Sequence, residues 1–211
     1  LSVERIAGVD RYETAAKVAA RLAAVKGVSS LGSAFLVRGD RFPDALAVSS
    51  LAASAGMPVL MTRPTTLPAS TRAALESIGA TQVVIAGGTA AVSAALASDV
   101  DALSGVAILR WAGSDRYTTS ATVARNGIAR GWSGAGYFGI TAGTSFPDAL
   151  GGGVLAARRG GVLLLTKPSS LSAGARGAVQ DLGHDHVPVV IYGGTSVVSK
   201  TVEGDLLRIR Y

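Results

Sequence analysis

The chain carries one ordered set of motifs twice, and this duplication limits the folds that it can adopt. Three motifs recur at offsets of 105, 104 and 106 residues. A period of that length exceeds one turn of a solenoid and matches the size of a small domain. The duplication also separates residue types kept in both copies from those present once. The paired segments are residues 5–14 and 110–119, 42–46 and 146–150, and 85–89 and 191–195.

The period predicts two domains, at residues 1–105 and 106–211. Segment 206–209 resembles segment 3–6, with which the first copy begins. We therefore expect the second domain to end in the stub of a third repeat.

Each copy alternates helical patterns with short apolar strands. Segments 59–61 and 162–165 are continuously apolar, as expected for strands covered by helices on both faces. Short loops between strands and helices predict an α/β fold, a mainly parallel sheet flanked by helices in each copy. Predicted helices are 13–26, 44–56, 68–79, 92–103, 119–130, 147–159, 172–182 and 197–203. Predicted strands are 33–38, 58–62, 82–86, 106–110, 136–141, 162–166, 187–192 and 206–210.

Composition narrows the classes of function. The chain is 48% hydrophobic and 16% charged, which is typical of a globular protein. It has no cysteine, which excludes disulfides and thiolate chemistry and fits a cytosolic or a bacterial surface protein. The longest uncharged stretch, residues 77–98, contains Gln82 and a glycine pair and predicts strand, loop and helix, with no membrane span.

The net charge of +6 is concentrated in the second copy. Residues 1–105 carry 9 Lys and Arg against 8 Asp and Glu, and residues 106–211 carry 11 against 6. A basic balance favours a polyanionic partner: nucleic acid, anionic polysaccharide or a charged surface. The positive charges are scattered and only 5% of residues are aromatic, which argues against nucleic acid.

An Asp-Arg-Tyr motif opens the first helix of each copy. We expect the aspartate to cap the helix and the tyrosine to pack. For Arg11 and Arg116 two interpretations stay open. Each either bonds loop carbonyls or a neighbouring carboxylate, or adds donors to the positive end of a helix and binds an anion. The paired positions are Asp10 and Asp115, Arg11 and Arg116, and Tyr12 and Tyr117.

A basic residue follows a buried strand in both copies, in the segments 62–64 and 166–168. The carboxyl ends of strands are where open α/β sheets bind ligands. Arg63 and Lys167 are therefore our preferred binding residues, and solvated loop charges are the alternative.

Glycine pairs link a strand to a helix in both copies. They let the backbone approach a ligand or pack tightly, and neither explanation is favoured by the residues. Their spacing fits neither a dinucleotide fingerprint nor a P-loop. The residues are Gly87, Gly88, Gly193 and Gly194.

Other polar residues have simpler explanations. Asp44 and Asp148 follow a proline and are expected to cap helices, although a catalytic acid is the alternative. The tripeptide 38–40 and the His-Asp-His segment 184–186 each occur in one copy only, and we predict surface loops. No metal or cofactor motif is found, so none is predicted.

Taken in order, the recurring header 5–14, the segment 42–46 and the segment 85–93 resemble the cell-wall-binding repeat type 2 family. The resemblance covers almost the whole chain. It implies Toprim-like or Rossmann-like α/β modules, three in tandem in a pseudo-threefold triangle. It also implies polymer contacts around residues 58–62 and 162–166, and hence at Thr62 and Thr166.

The resemblance implies a non-catalytic module that anchors a secreted protein to anionic polysaccharide or teichoic-type polymers of the Gram-positive cell wall. Two copies in place of three suggest a homo-oligomer or a pseudo-trimer completed by a third repeat. An enzyme using Asp44 and Asp148, and a self-assembly module of a surface layer, are the alternatives. The Ala-, Gly- and Arg-rich composition indicates an actinobacterial source.

Overall fold

Helices and strands alternate along both copies of the repeat. A computed structural model describes residues 1–103 and 105–210. The last position of the predicted second domain, Tyr211, lies outside the described residues, as does Ser104 in the first. The first copy forms α1 (Arg11–Lys26), β1 (Ser33–Arg38), α2 (Pro43–Ala55), β2 (Val59–Thr62), α3 (Ala69–Ser77), β3 (Gln82–Ala86), α4 (Ala94–Asp101) and β4 (Ala107–Trp111). The second forms α5 (Arg116–Ala129), β5 (Phe138–Ala142), α6 (Pro147–Arg158), β6 (Val162–Thr166), α7 (Ala173–Leu182), β7 (Val189–Tyr192) and α8 (Lys200–Leu207).

These elements pack into two compact units that are not continuous in sequence. Unit 1 contains Leu1–Arg41 and Gly56–Arg110. Unit 2 contains Phe42–Ala55, which includes α2, and the chain from Trp111 onward. Helix α2 of the first repeat therefore packs as part of unit 2. That the repeats 1–105 and 106–211 are themselves the domains stays a prediction.

Unit 1 is built on a four-stranded sheet of order β2-β1-β3-β4. Strand β1 pairs in parallel with β2 and β3, with Leu36 opposite Leu60 on one side and Ile85 on the other. On one face these strands bury a core with α1, α3 and α4, whose members include Ala19, Leu75 and Leu96. The apolar strand pattern is thus explained by burial beneath helices.

Unit 2 is built on a three-stranded parallel sheet of order β6-β5-β7. All five residues of β5 and of β6 are buried. Helix α2 packs against the edge strand β6, where the backbone N–H of Leu163 donates to Ser50 Oγ at 3.0 Å. It also packs against α5, where Leu51 fills the space left by the missing side chain of Gly127.

One predicted strand is wrong. Residues 206–210 do not form a strand, because Leu206 and Leu207 belong to α8 and Arg208 ends that helix. Val202, fully buried, and Leu206 lie four residues apart on one helical face, a spacing that favours a helix. That the second domain ends in the stub of a third repeat stays a prediction.

The predicted fold class is confirmed: parallel sheets flanked by helices form two repeat-like modules. In the described part of the chain, every helix is too short or too polar to span a bilayer.

Candidate functional site

The predicted binding residues of the first copy meet at the carboxyl edge of the unit 1 sheet. Strands β1, β2 and β3 are parallel, so the loops that follow them lie at one edge. Helix α1 begins at the same edge, since Arg11 Nη1 donates to the carbonyl of Gly39, directly after β1, at 2.8 Å. The contact ties the start of α1 to the end of β1.

An open groove of about 610 Å³ lies at this edge. The guanidinium of Arg63 lies 5.5 Å from the centroid of the Tyr12 ring, within range of a cation–π interaction. The stacking holds the exposed Arg63 side chain over the groove while its N–H donors stay accessible. The lining residues are Asp10, Arg11, Tyr12, Asp40, Arg63, Pro64, Thr65 and Thr66.

The carboxylates in the groove already have partners. Asp10 caps α1 by accepting from the backbone N–H groups of Tyr12 and Glu13, both at 2.9 Å. Asp40 accepts from Arg38 Nη2 at 2.7 Å, and this hydrogen bond lowers the pKa of the Asp40 carboxyl.

The cations of the groove keep their charge uncompensated. In the described part of the chain, neither Arg11 nor Arg63 forms a salt bridge. A carbonyl and an aromatic ring orient a guanidinium without neutralising it. The groove therefore presents two guanidinium groups without salt bridges, those of Arg11 and Arg63, beside the carboxylates of Asp10 and Asp40.

The second copy keeps the arginine and aspartate contacts of this arrangement. Arg116 Nη1 donates to the carbonyl of Gly143 at 2.6 Å, as Arg11 does to Gly39. Asp115 caps α5 through the N–H of Thr118 at 2.7 Å. Burial alone would raise the pKa of Asp115, but the hydrogen bonds from Thr118 and the nearby Lys167 lower it. Lys167 is exposed and takes the place of Arg63.

Thr62 and Thr166 are fully buried. Thr62 Oγ1 donates to the carbonyl of Thr66 at 3.2 Å, and Thr166 Oγ1 donates to that of Ser170 at the same distance. The hydroxyls close the loops that carry Arg63 and Lys167. We assign the threonines a role in shaping these loops, since their side chains do not reach the surface.

The glycine pairs shape a neighbouring loop and do not line the groove. Gly87 and Gly193 have φ of 107° and 114°, a region that disfavours side chains. Gly88 and Gly194 accept the backbone bonds that turn the loop toward α4 and α8. The positive φ at this turn thus explains why the first residue of each pair is a glycine.

Some polar contacts were missed from the sequence. Asp40, assigned to a surface loop, lies in the groove, and its position after β1 is the signal that could have placed it. Arg130 stacks on both tryptophans of the chain, 5.8 Å from the Trp111 ring and 5.6 Å from the Trp132 ring. The presence of both tryptophans and this arginine in one repeat is the sequence feature that could have predicted the stacking.

Other expectations have mixed outcomes. Asp148 lies in the first turn of α6, but no side chain caps that helix, so the predicted cap is wrong. Proline at the first helical position already removes one orphan donor there.

His184 and His186 are exposed in a loop, as predicted. Within residues 1–103 and 105–210, no three His, Cys, Asp or Glu side chains are gathered as metal ligands.

The groove lies at the carboxyl edge of a parallel sheet, which is where open α/β sheets bind ligands. Comparison with known proteins identifies the family of this chain. The chain belongs to the Cell wall binding domain 2 (CWB2) family, whose model matches residues 5–97 and 110–203. The family resemblance predicted from the sequence is confirmed, and with it the function of binding the cell wall.

Two curated proteins of Bacillus subtilis (strain 168) are similar. N-acetylmuramoyl-L-alanine amidase LytC is 33% identical over 206 residues, which cover 98% of this chain and 38% of that protein. The amidase enhancer is 30% identical over 208 residues, covering 97% and 26%.

Two solved structures share the fold. Cwp6 from Clostridium difficile matches with a TM-score of 0.83 at 23% identity, over 97% of this chain and 31% of that one. Cwp8 from the same organism matches with a TM-score of 0.81 at 27% identity, over 99% and 34%. This chain thus spans roughly a quarter to two fifths of the length of these four proteins.

Proposed function

We propose that this chain is a non-catalytic anchor that holds a secreted protein on the surface of a Gram-positive cell by binding an anionic wall polymer. Membership of the CWB2 family supports a partner in the cell wall. The similar proteins come from Bacillus and Clostridium, which supports a Gram-positive source. An anionic polysaccharide or a teichoic-type polymer is the partner favoured by the exposed Arg63 and Lys167 and by the net charge of +6.

One observation carries the proposal. Each copy presents an exposed cation after its edge strand, Arg63 or Lys167, and neither forms a salt bridge in the described part of the chain. In each copy a second arginine, Arg11 or Arg116, is held at the start of the adjacent helix by a loop carbonyl. Two cations beside a helix start provide donors and a positive field for a phosphate or carboxylate group.

Repetition explains how shallow sites could anchor a protein. A single open groove forms few contacts with a polymer, and salt screens them. Two linked sites on one repeating polymer bind with high effective concentration, so weak individual affinities multiply. The duplication is thus the source of lasting attachment.

Membership of a family of binding domains supports the non-catalytic part of the proposal. Asp44 and Asp148 lie in the first turns of different helices. Within the described residues, no cluster of three metal-ligating side chains accompanies them.

Co-sedimentation with purified cell walls tests the proposal. The double variant Arg63→Gln, Lys167→Gln removes both exposed cations while leaving the buried threonines intact. We expect binding to weaken by about 1–2 kcal/mol, or roughly five- to thirtyfold, since two exposed charge contacts are lost. Binding of the wild type should also fall with rising salt and on walls stripped of anionic polymer.

The control is Lys26→Gln, Arg158→Gln, which removes the same charge from the last turns of α1 and α6. It should bind as the wild type does. An equal loss of wall binding in both double variants would show that only the net charge matters. Wall binding that changes neither with salt nor with the removal of anionic polymer would reject an anionic ligand.

A further inference from the structure

The segment that ends β1 differs from its counterpart at two of three positions. Residues 38–40 read Arg-Gly-Asp, and an offset of 104 residues places Ala-Gly-Thr at residues 142–144, where β5 ends. Neither Ala142, which is buried, nor Thr144, which is exposed, carries a charge. The arginine and the aspartate are therefore features of the first copy alone.

The glycine between them is explained by packing in both copies. A Cβ atom at Gly39 would lie 2.7 Å from the ring of Tyr12, which leaves no room for a side chain. A Cβ atom at Gly143 would lie 2.8 Å from the ring of Tyr117. In each copy the arginine before the tyrosine donates to the carbonyl of this glycine. The loop thus keeps its backbone contacts in the second copy, without the arginine and the aspartate of the first.

In the first copy, Arg38 holds the carboxylate of Asp40 in one orientation. Its guanidinium donates to both carboxylate oxygens, from Nε to Oδ1 and from Nη2 to Oδ2, the second at 2.7 Å. Arg38 Nη1 also donates to the carbonyl of Ala90 at 3.2 Å. The Asp40 side chain is 47% exposed and lines the groove of unit 1. A carboxylate of fixed orientation therefore faces the solvent of this groove.

This carboxylate has acceptor capacity left over. Two ionised oxygens offer roughly four lone-pair sites, and Arg38 uses one on each. An ammonium group entering beside Asp40 would approach the guanidiniums of Arg11, Arg38 and Arg63, whereas a hydroxyl group carries no charge. Acidic side chains bind sugar hydroxyls in the same way in dinucleotide-binding folds. Two neighbouring hydroxyls are thus the donors that fit the two oxygens of Asp40.

Donors for an anion line the same groove. Arg11 and Arg63 lie there, and in the described part of the chain neither forms a salt bridge. A ligand in the groove therefore meets guanidinium donors and a carboxylate acceptor together. A unit that carries hydroxyls beside an anionic group satisfies both.

We propose that the groove of unit 1 selects polymers whose repeating unit carries adjacent free hydroxyls beside a phosphate or carboxylate group, and that Asp40 determines this specificity. The inference rests on the proposed function, of which it names the ligand more closely. Asp40 accepts from the hydroxyls, and its negative charge disfavours a polyanion that has none. A site built to bind a hydroxyl discriminates strongly against an analogue that lacks it.

The second copy lacks this acceptor. Thr144 stands in the place of Asp40, and Lys167, a compact charge without a planar fork of donors, stands in the place of Arg63. We expect the second copy to bind the anionic groups of a polymer without selecting for hydroxyls. The two copies then contribute to one attachment in different ways, the first through specificity and the second through charge.

Binding of short oligomers of equal charge tests the proposal, with fluorescence anisotropy as the measurement. Poly(ribitol phosphate) carries adjacent hydroxyls beside phosphates, and inorganic polyphosphate carries none. Charge alone favours polyphosphate, in which the negative charges are closer together. We expect the wild type to bind poly(ribitol phosphate) about fivefold more tightly or better, because hydroxyls satisfy Asp40. Polygalacturonate has adjacent hydroxyls beside a carboxylate, and its affinity relative to poly(ribitol phosphate) identifies the anionic group.

Asp40→Asn should change the two affinities in opposite directions. Binding of poly(ribitol phosphate) should weaken by about tenfold, since hydrogen bonds to a charged acceptor are lost. Binding of polyphosphate should strengthen by about twofold, since one negative charge leaves the groove. Asp40→Thr installs the residue of the second copy and should show the same reversal. Circular dichroism verifies that both variants are folded, as expected for an exposed side chain.

Two control variants keep the groove intact. Glu76→Gln removes the same charge from the last turn of α3, at an exposed residue outside the groove. Thr144→Ala alters the position of the second copy that corresponds to Asp40. Both should keep the preference of the wild type. A preference that Glu76→Gln changes as much as Asp40→Asn does would overturn the assignment to Asp40.

The remaining outcomes separate this inference from the proposed function. A chain that sediments with purified walls but prefers polyphosphate overturns the inference and leaves the anchor in place. So does Asp40→Asn that weakens both polymers alike, because such a loss indicates a structural role. A chain that does not sediment with walls rejects the proposed function, and the inference with it.

Discussion

Helices α2 and α6 follow a phenylalanine and begin with the same four residues, Pro-Asp-Ala-Leu, yet they pack in different surroundings. Both are helical from the proline onward. Leu46 and Leu51 of α2 are buried in unit 2, whereas Leu150 and Leu155 of α6 are exposed. The motif therefore specifies the helix and its row of apolar side chains. Whether that row is buried depends on whether another part of the unit packs against it.

The largest expected effect compares equivalent leucines on these helices. Leu51→Ala should lower the free energy of unfolding by about 2–5 kcal/mol, because it leaves a cavity against α5. Leu155→Ala should lower it by only about 1 kcal/mol, since Leu155 is already 41% exposed and leaves a smaller void. Urea denaturation of dilute, monomeric protein measures both. Equal losses would mean that the two faces are equally covered in solution.

A smaller difference should separate Ser50 from its counterpart Val154. Ser50→Ala removes the acceptor of the Leu163 N–H at the edge of β6 and should cost about 1–3 kcal/mol. Val154→Ala removes an exposed side chain and should stay within about 0.5 kcal/mol. The same denaturation experiment applies. A neutral Ser50→Ala would show that another group takes over the N–H.

Removing a helix cap should cost the same stability in both copies, because capping is a local interaction. Asp10→Ala and Asp115→Ala each remove a helix cap and should each cost about 1 kcal/mol. Thermal unfolding of the two variants at neutral pH gives this comparison. A cost confined to one copy would show that capping there depends on tertiary contacts.

The cap at Asp115 also predicts an acid response. Its folded pKa lies below the ordinary value, so its stabilisation is complete above about pH 4 and is lost as pH falls through the folded pKa. Asp115→Asn keeps a capping oxygen and should make stability less sensitive to acid. A pH series of wild type and variant measures the difference, and parallel acid curves would contradict it.

Much of the fold and of the site could be predicted from residues alone. Apolar strands, capped helix starts and the cations after β2 and β6 depend on local pattern, and duplication allowed each to be checked against its copy. The strand at 206–210 failed because a short apolar run fits a strand or a helix, and hydrogen bonds within the segment favoured the helix. The family resemblance implied polymer contacts at Thr62 and Thr166. Only the structure shows that both are buried, because no local pattern reveals which way a loop hydroxyl turns.

The sequence by itself determined the repeat, the α/β alternation, the caps of α1 and α5 and the family, since these depend on residue type and spacing along the chain. Only the tertiary structure decided that α2 groups with unit 2 and that Asp40 and Arg63 line the same groove. It also decided which copy of an apolar stripe is covered. Such contacts join residues far apart in sequence, and their free energy depends on surfaces that short-range patterns do not encode.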